Sequence, residues 1–454
     1  MQRLTMNLQA WLELLEKRHP QAIDLGLDRC GRVYQELGSP RPAKKVFTVA
    51  GTNGKGSTAA YLSTMSGALG QRYGCYTSPH IVRYNERISV MGEPVSDDCL
   101  VRAFEQVEAA RKAISLTYFE FTTLAALLIL HQADLDCAVL EVGLGGRLDT
   151  VNLVDTDCAL ITPIGLDHQD FLGPDLHSIA REKAGIIRPG TAVVCTEENP
   201  PGPVLQVAEE LGASLYRRGS DFDLVQHPGG HGDAGLVQFS LGEHAMLVSQ
   251  PPMGGQHQLD NLAAALAALV LLNPDGFERS ADISEAIRLC KVPGRLQRVF
   301  SSPDIFLDVG HNALAAEAVA TFLTENEYLN TTCVLAMLAD KPAEAVALAL
   351  GGVCKRWLCA DSTGSRGQSG KLLARRVISA LPTAEVDFFS QLDEAMSEAV
   401  LSVDKDETIL VFGSFTTVAA ATRWLQNSMQ RDVHDAAKIT AHETGKYRRD
   451  NSNG

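Results

Sequence analysis

The chain has 454 residues, of which 40 are basic and 55 acidic, so its formal net charge is −15. This length predicts about two to four domains with buried cores, because a domain typically takes roughly 100–200 residues. Hydrophobic residues make up 45% and charged residues 21%, close to globular averages, which excludes a wholly disordered chain. The acidic balance argues against a general nucleic-acid binder and against a protein held to anionic membranes by charge.

The sequence shows no pattern typical of a signal peptide or of a membrane-spanning helix. Residues 1–16 lack a basic segment followed by an apolar core, and the longest apolar runs, 122–130 and 262–272, are shorter than the roughly 18 residues of a membrane span. The ten cysteines are scattered without a CxxC pair, which favours reduced thiols used as small core residues. We therefore expect a cytoplasmic monomer with no nucleic-acid or membrane partner.

From residue 45 onward, short apolar runs typical of buried parallel strands alternate with helical periodicity. Strands are predicted over 46–50, 73–77, 137–142, 158–164 and 192–195. Helices are predicted over 58–69, 96–113, 121–132, 176–184 and 204–211. Residues 219–250 break the alternation with Gly, His and Asp, which predicts hairpins. The alternation itself indicates a doubly wound α/β domain.

A second alternating series follows the segment Val292-Pro-Gly294. Helices are predicted over 260–272 and 282–289 before it, and strands over 305–309, 332–337, 356–359 and 408–412 after it. We therefore expect two α/β domains, 1–293 and 294–430, within the usual size range. Residues 431–454 contain few apolar side chains and are predicted to be disordered.

The strongest chemical signal is Val49-Ala-Gly-Thr-Asn-Gly-Lys-Gly-Ser-Thr58. A strand enters a glycine-rich turn that opens a helix, so backbone N–H groups can converge on a phosphate. In such a loop Lys55 reaches the β- and γ-phosphates, and the Ser57 hydroxyl binds Mg²⁺. The sequence departs from GxxxxGK[ST] because Gly56 separates Lys from Ser. The alternative is an ordinary glycine turn after a strand.

Acidic and imidazole groups follow the next strands. Glu141 closes the strand 137–142, and ligands of open α/β sheets lie beyond the carboxyl ends of strands. The alternative is that Glu141 merely pairs with Arg147. His168, beside Asp167, follows the strand 158–164. A lone histidine there is often structural, and Mg²⁺ prefers oxygen ligands, so a ligand role for His168 needs corroboration.

Three further positions are ambiguous by residue type alone. Lys183, late in a helix beside Glu182, is by composition an ordinary solvated lysine. Asp308 and the adjoining His311-Asn312 end a strand before a helix, where they could contact ribose and phosphate or simply cap the helix. Arg295, just after the segment Val292-Pro-Gly294, which is predicted to be a hinge between the domains, could donate to a phosphate from across a cleft.

Eight segments taken together carry a resemblance. They are Gly51-Thr-Asn-Gly-Lys-Gly-Ser57, Tyr76-Thr-Ser-Pro-His80, Thr117-Tyr-Phe-Glu120, Leu140-Glu-Val-Gly-Leu-Gly-Gly-Arg-Leu-Asp149, Asp167-His168, Arg181-Glu-Lys-Ala-Gly185, Pro293-Gly-Arg295 and Asp308-Val-Gly-His-Asn312. In this order, over about residues 20–425, the chain resembles the folylpolyglutamate synthase family of the Mur ligase superfamily, and within it the bifunctional bacterial members. The resemblance implies a P-loop ATPase domain of Mur ligase type followed by a smaller Rossmann-like domain.

The resemblance also implies an activity, an ATP-dependent amide ligase that works through an acyl phosphate. Such an enzyme adds L-glutamate to dihydropteroate and to reduced folates; the alternative within the class is a folylpolyglutamate synthase without the dihydropteroate step. From another class, a nucleotide-dependent switch or simple NTPase stays possible, since a phosphate loop alone indicates only phosphate binding.

Residue roles are carried over position by position. The ATP contacts implied are Asn53, Gly54, Lys55, Gly56, Ser57, Asn261, Arg295, Asp308 and His311. The ligands implied for one or two Mg²⁺ ions are Ser57, Ser78, Glu141, His168 and Lys183, the last as a carbamylated lysine. Catalytic roles fall on Lys55, His168 and Lys183. The pterin-substrate region covers Asp24, Leu25, Gly26, Leu27, Thr117, Tyr118, Phe119, Glu120, Leu148, Asp149 and Thr150. One departure is Ala313, where the family often has proline.

Overall fold

The computed structural model describes residues 6–21, 23–226, 235–364 and 366–429. The chain divides into two compact units: Met1–Pro252 with His257–Lys291, and Met253–Gln256 with Val292–Gly454. The predicted disordered tail, 431–454, lies outside the described residues, as does 227–234 of the predicted hairpin segment.

The first unit contains helices and strands in alternation. Its helices are α1 (Leu8–Arg18), α2 (Asp28–Glu36), α3 (Lys55–Ala68), α4 (Asp97–Arg111), α5 (Tyr118–Gln132), α6 (Gln169–Leu172), α7 (Leu176–Ala184), α8 (Gly202–Glu210), α9 (Gln256–Leu272) and α10 (Ser280–Leu289). Its strands are β1 (Lys45–Ala50), β2 (Tyr73–Tyr76), β3 (Ile88–Val90), β4 (Glu93–Pro94), β5 (Cys137–Glu141), β6 (Cys158–Ile161), β7 (Ala192–Cys195), β8 (Ser214–Arg217), β9 (Phe222–Gln226), β10 (Leu236–Leu241) and β11 (His244–Ser249). Short 3-10 helices cover Tyr84–Arg87, Thr150–Leu153 and Pro274–Arg279.

The main sheet of the first unit has the strand order β4-β3-β2-β5-β1-β6-β7-β8. Six of these strands run parallel, namely β2, β5, β1, β6, β7 and β8, whereas β3 and β4 form an antiparallel edge beside β2. Because β2, β5, β1 and β6 are neighbours, their carboxyl ends meet along one stretch of the sheet edge. Strands β9 to β11 form a separate antiparallel sheet, which confirms the hairpin prediction for the described part of that segment.

Burial explains the apolar runs of the central strands. Phe47, Val139 and Leu160 on β1, β5 and β6 are fully buried, as expected for parallel strands covered on both faces. Helix α5 is apolar around most of its surface because it lies inside the core, and Leu124 and Leu127 are fully buried. All ten cysteines are free thiols and nine of them are buried, in agreement with their predicted use as core residues.

The second unit is a smaller α/β layer structure. Its elements are β12 (Gln297–Ser301), β13 (Asp304–Asp308), α11 (Ala313–Glu325), β14 (Thr331–Leu335), α12 (Ala343–Leu350), β15 (Cys354–Ala360), α13 (Gly370–Ala380), β16 (Glu385–Phe389), α14 (Leu392–Ser402), β17 (Thr408–Phe412) and α15 (Phe415–Met429). The strand order is β12-β13-β17-β14-β15-β16, with only β12 antiparallel among these strands. Trp357 and Phe412 are among its fully buried side chains.

The predicted class, α/β with parallel sheets in two parts, is confirmed by these two sheets. The elements that were missed include the leading helices α1 and α2 and the strands β3, β4, β8, β12 and β16, most of which lie at or next to a sheet edge. The two-residue strand β4 shows why, because so short a run carries no periodic pattern. Among the described residues, no helix is both long and apolar enough to cross a membrane.

Candidate active site

The phosphate loop connects β1 to α3. Helix α3 begins at Lys55, and its N-cap Gly54 has φ +88° and no side chain that could cap the first N–H groups. A Cβ atom at Gly51 would lie 1.8 Å from Thr162 Oγ1, so only glycine fits there. The open N–H groups of the first helical turn are therefore available to an anion.

Two side chains of the loop have contrasting surroundings. Lys55 Nζ donates to the carbonyl oxygens of Gly51 and Thr52, both at 3.1 Å, so the cation lies over the loop. Ser57 is 1% exposed, and its Oγ has no hydrogen-bond partner in the described part of the chain. A buried hydroxyl left unpaired costs about 1–3 kcal/mol, so this oxygen fits a ligand supplied from outside the chain, such as a divalent cation.

Glu141 and Ser78 come together at the ends of β5 and β2. Glu141 is buried, and its Oε2 accepts a hydrogen bond of 3.2 Å from the Ser78 backbone N–H. Glu141 stands opposite Val49 in the register of β5 and β1, directly before the phosphate loop. Arg147 forms its ion pair with Glu182 (2.8 Å), so the alternative that Glu141 serves to pair with Arg147 is wrong.

His168 follows β6 and precedes α6. Its backbone has φ +53°, and its N–H donates to Asp167 Oδ1 at 2.9 Å. The ring is 31% exposed, whereas Asp167 is largely buried. Within the described residues, no group of three or more His, Cys, Asp or Glu side chains has the arrangement of a metal site. The oxygen-rich set of hydroxyl and carboxylate groups at the neighbouring strand ends nevertheless suits a hard cation, which keeps some ligands as water or phosphate oxygen.

Lys183, at the end of α7, is buried beside the phosphate loop. Its Nζ donates to the Gly51 carbonyl oxygen at 2.7 Å. Burial, and after it the charge of Lys55, lowers the pKa of the Lys183 amine to about 7, although Asp167 and Asp149 act in the opposite direction. The interpretation of Lys183 as a solvated lysine is therefore wrong.

The burial of Lys183 follows from how closely α7 packs on the turn after β5. A Cβ atom at Gly146 would lie 2.7 Å from the Glu182 carbonyl oxygen and 3.0 Å from that of Lys183. Arg147 N–H donates to the Glu182 carbonyl oxygen at 2.7 Å. The glycines of this turn thus let the last turn of α7 approach, which carries Lys183 inside.

Asn261, on α9, lies against the phosphate loop. A Cβ atom at Gly54 would come within 2.3 Å of Asn261 Oδ1, so the amide and the loop backbone are in direct contact range. Asn261 is 2% exposed, and its Nδ2 donates to Gln258 Oε1 at 3.4 Å. The structure therefore brings Asn261 together with Asn53, Gly54, Lys55, Gly56 and Ser57.

The first two segments predicted for the pterin substrate are joined by Arg29. Its Nη1 lies 2.5 Å from Asp24 Oδ2, and its Nη2 donates to the Asp24 carbonyl oxygen (2.8 Å) and to Glu120 Oε1 (2.9 Å). Glu120 Oε2 in turn accepts from the N–H of Thr117 (2.7 Å), which caps α5. Arg29 was not predicted as a site residue.

The third segment, Leu148–Thr150, joins the same region. Both α2 and α5 pack against the 3-10 helix that begins at Thr150. Asp149 caps that helix, with Oδ1 accepting from Val151 N–H (2.9 Å) and Oδ2 from Leu144 N–H (2.8 Å). Burial raises the pKa of the Asp149 carboxyl to about 6. The three segments, with Leu25, Gly26, Leu27, Tyr118, Phe119 and Leu148, are thus neighbours in the first unit.

The second unit holds its own cluster around Asp308. The carboxylate accepts from the N–H groups of Leu296 (2.8 Å) and Gly310 (2.7 Å), which fixes the segment that carries Arg295. The Arg295 guanidinium carbon lies 5.3 Å from the centre of the Phe415 ring. His311 Nδ1 lies 3.0 Å from the Val309 carbonyl oxygen.

Asn312 shows the capping role that its residue type allows. Its Oδ1 accepts from Ala315 N–H at 2.9 Å at the start of α11. The helix-capping interpretation of Asn312 is therefore confirmed, and Ala313, the departure from the family pattern, is simply the first helical residue.

The fold, the phosphate loop and the polar strand ends beside it define an ATP-dependent ligase of Mur type. Residues 49–269 match the Mur ligase middle domain, and residues 294–415 match the Mur ligase, glutamate ligase domain. The Escherichia coli K12 dihydrofolate synthase/folylpolyglutamate synthase is 41% identical over 418 residues, which cover 91% of this chain and 94% of the relative.

Solved structures that resemble this chain belong to the same family as this relative. A structure of E. coli FolC in complex with DHPP and ADP has a TM-score of 0.84 and 38% identity, covering 93% of this chain and 99% of that one. A bifunctional folylpolyglutamate synthase/dihydrofolate synthase with Mn, AMPPNP and L-glutamate bound has a TM-score of 0.83 and 39% identity, covering 93% and 98%. This chain belongs to the dihydrofolate synthase/folylpolyglutamate synthase family and is a glutamate-adding ligase, which confirms the resemblance drawn from its motifs.

Proposed function

We propose that the enzyme joins L-glutamate first to dihydropteroate and then to reduced folates, using ATP to activate the acceptor carboxylate as an acyl phosphate. The main support for this function is the arrangement of polar groups at one edge of the sheet. A phosphate loop with an orphaned Ser57 hydroxyl, the Glu141 carboxylate and the buried Lys183 converge at the sheet edge. The same unit holds the three segments of the acceptor region. Related enzymes were solved with ADP and DHPP, and with Mn, AMPPNP and L-glutamate, which supports ATP and divalent-metal use here.

Ser57, Ser78 and Glu141 are the residues that would hold Mg²⁺, with His168 as a further ligand by resemblance. The ion would neutralise phosphate charge and keep the phosphoryl group oriented. The phosphate loop binds the β- and γ-phosphates through the N–H groups at the start of α3, and Lys55 adds a positive charge. Asn261, Arg295, Asp308 and His311 are proposed as further nucleotide contacts.

In the first step, a carboxylate oxygen of the acceptor attacks the γ-phosphorus. A carboxyl O–P bond forms, the bond between the γ-phosphorus and the bridging oxygen breaks, and ADP leaves with that electron pair. Both reactants are anions, so the charge of Lys55 is needed near the transferred group. In the second step, the glutamate amine attacks the acyl carbon, the C–O bond to phosphate breaks, and the amine loses a proton to solvent or a base.

Lys183 is proposed to be carbamylated. A carbamate forms when a neutral amine attacks CO₂, making an N–C bond and releasing one proton. The low pKa of Lys183, about 7, keeps much of this amine neutral near neutral pH. The carbamate would place an anionic oxygen pair beside the phosphate loop, within reach of a cation there. Within the described residues, the amine donates a hydrogen bond to the Gly51 carbonyl oxygen and forms no ion pair that carbamylation would break.

The acceptor region is organised by buried polar contacts rather than by one binding residue. Arg29 fixes Asp24 relative to Glu120, and Asp149 fixes the turn that carries Leu148. Phe119 packs on Gly143, where a Cβ atom would lie 2.4 Å from its ring, so an aromatic face borders the turn after Glu141. The domain limits 1–293 and 294–430, a monomeric state and a cytoplasmic location stay predictions.

A two-substrate assay tests the function. The purified full chain is incubated with MgATP and L-glutamate plus either dihydropteroate or tetrahydrofolate, and both ADP release and amide product are measured. We expect product from both acceptors. Activity on tetrahydrofolate alone would select a folylpolyglutamate synthase without the first step. ATP hydrolysis that ignores both acceptors and glutamate would select a simple NTPase and overturn the proposal.

A further inference from the structure

A buried arginine outside the predicted site lacks an anionic partner. Arg87 ends the 3-10 helix Tyr84–Arg87 and is 9% exposed. Its Nε donates to His80 Nδ1 at 3.0 Å, and no carboxylate of the described residues lies within ion-pair distance of the guanidinium. The two terminal nitrogens of the guanidinium are not among the fully buried polar atoms that lack a hydrogen-bond partner. They are therefore accessible to a ligand.

The groups around Arg87 do not neutralise its charge. His80 Nδ1 takes part in the hydrogen bond with Arg87 Nε and supplies no negative charge. The adjoining Glu86 directs its carboxylate to the N–H groups of residues 81–83, at 2.5 to 3.0 Å. Among the residues that the structure describes, this positive charge therefore has no counter-ion within ion-pair distance.

Two tyrosine rings hold the guanidinium in place. The Arg87 guanidinium carbon lies 5.3 Å from the centre of the Tyr84 ring and 5.6 Å from that of Tyr118. Tyr84 is itself fixed by a hydrogen bond from its hydroxyl to Thr122 Oγ1 at 2.8 Å. Cation–π contacts orient a guanidinium without using its N–H groups, which leaves the donor fork available.

Arg87 also lies where two parts of the proposed site meet. Its carbonyl oxygen accepts from Thr77 N–H at 2.9 Å, and the next residue, Ser78, donates its N–H to Glu141. Tyr118 on the other side belongs to the acceptor region. An unpaired buried charge is strongly unfavourable, which indicates that an anion completes this arrangement when substrate is bound.

We propose that Arg87 binds a carboxylate of the pteroyl acceptor through its terminal nitrogens, with His80 as the group that orients the guanidinium. The inference rests on the proposed function and adds a site for one chemical group of its acceptor. A planar fork pairs with both oxygens of a carboxylate, so the interaction sets the orientation of the acceptor as well as its affinity. Neither Arg87 nor His80 was among the predicted site residues.

The test compares binding of two probes to the full chain with MgADP by calorimetry. The probes are dihydropteroate and an analogue in which hydrogen replaces the carboxyl group. We expect Arg87→Gln to weaken dihydropteroate binding roughly 10- to 100-fold, as for a lost charged hydrogen bond, and to leave analogue binding unchanged. Arg87→Lys keeps the charge without the fork and should recover part of the loss. Arg83→Gln, at a neighbouring arginine whose side chain is 71% exposed, is the matched control and should bind both probes normally.

Equal weakening of both probes by Arg87→Gln would assign Arg87 a purely structural role and overturn the inference. Unchanged binding of dihydropteroate would overturn it as well. The thermal midpoint and ADP affinity of each variant show whether it is folded. If the wild-type protein bound neither probe, the proposed function itself would fail. The wild type is measured first, so this outcome is distinguished from a failure of the Arg87 proposal, in which the wild type binds dihydropteroate normally.

Discussion

Lys183→Ala tests whether the buried amine contributes to catalysis. Its ordinary pKa is 10.5, and burial beside Lys55 lowers it to about 7. At pH 8 an amine of pKa 10.5 is about 0.3% neutral and one of pKa 7 about 90% neutral, so burial raises the reactive form about 300-fold. The difference corresponds to about 5 kcal/mol disfavouring the ammonium form.

The assay is steady-state turnover with dihydropteroate, MgATP and glutamate. We expect Lys183→Ala to lose at least about 100-fold in kcat, since it removes the carbamate proposed to hold a cation beside the reacting phosphates. Acetate added in solution should restore part of the rate by supplying the missing carboxylate. Lys183→Met, closer in volume, separates loss of the carbamate from loss of packing. Lys44→Ala, at an exposed lysine, is the matched control.

The pH dependence follows from the direction of the shift. Because the neutral amine is depleted as pH falls through about 7, carbamate formation should decline below that pH. Removing CO₂ should lower the wild-type rate, bicarbonate should restore it, and ¹³C-labelled CO₂ should give a carbamate NMR signal absent from Lys183→Ala. Full activity of Lys183→Ala without added carboxylate would refute this reasoning.

Three further variants test other parts of the site. Ser57→Ala removes an unpaired buried hydroxyl, so stability in urea should be unchanged or slightly higher while kcat falls about 100-fold; normal kcat would contradict a metal-ligand role. Gly54→Ala places a Cβ atom 2.3 Å from Asn261 Oδ1 at φ +88°, so ATP KM should rise and the free energy of unfolding should fall by about 1–3 kcal/mol, whereas a neutral result would contradict the close approach. The raised pKa of Asp149, about 6, means that the folded state holds this proton more tightly, so stability falls by up to about 3 kcal/mol as pH rises from 4 to 6. Asp149→Asn should flatten that part of the urea-unfolding profile, and an unchanged slope would assign it to other groups.

The parts of the site that follow from local sequence were predictable. The glycine loop is a contiguous pattern, and the strand before it and helix after it determine where its N–H groups point. Glu141 and His168 could be placed because the carboxyl ends of neighbouring parallel strands share one edge. The long buried strands were predictable for the same reason, since continuous apolar runs accompany burial on both faces.

The remainder depends on contacts between residues distant in sequence. Lys183 looks solvated by residue type, and only the approach of α7 to the turn at Gly146 buries it. Arg29 contacts Glu120, 91 positions away, and nothing in the spacing of either residue indicates the pair. Arg87 is unusual because, in the part of the chain that the structure describes, no carboxylate lies within ion-pair distance of its guanidinium, although Glu86 adjoins it in sequence.

The net charge of −15 describes the chain as a whole rather than the site. Lys55 lies over the phosphate loop, and Arg87 lies beside the acceptor region. Because ATP, glutamate and folates are all anions, positive charge concentrated in one place lets an acidic protein bind them.

The central claim is that the acceptor carboxylate takes the γ-phosphoryl group before the amide forms. Dihydropteroate labelled with ¹⁸O in both carboxylate oxygens, turned over with MgATP and glutamate, tests it directly by mass spectrometry of the released phosphate. We expect one ¹⁸O atom in each released phosphate and one retained in the new amide. Phosphate without label, formed at the same rate as dihydrofolate, would contradict it.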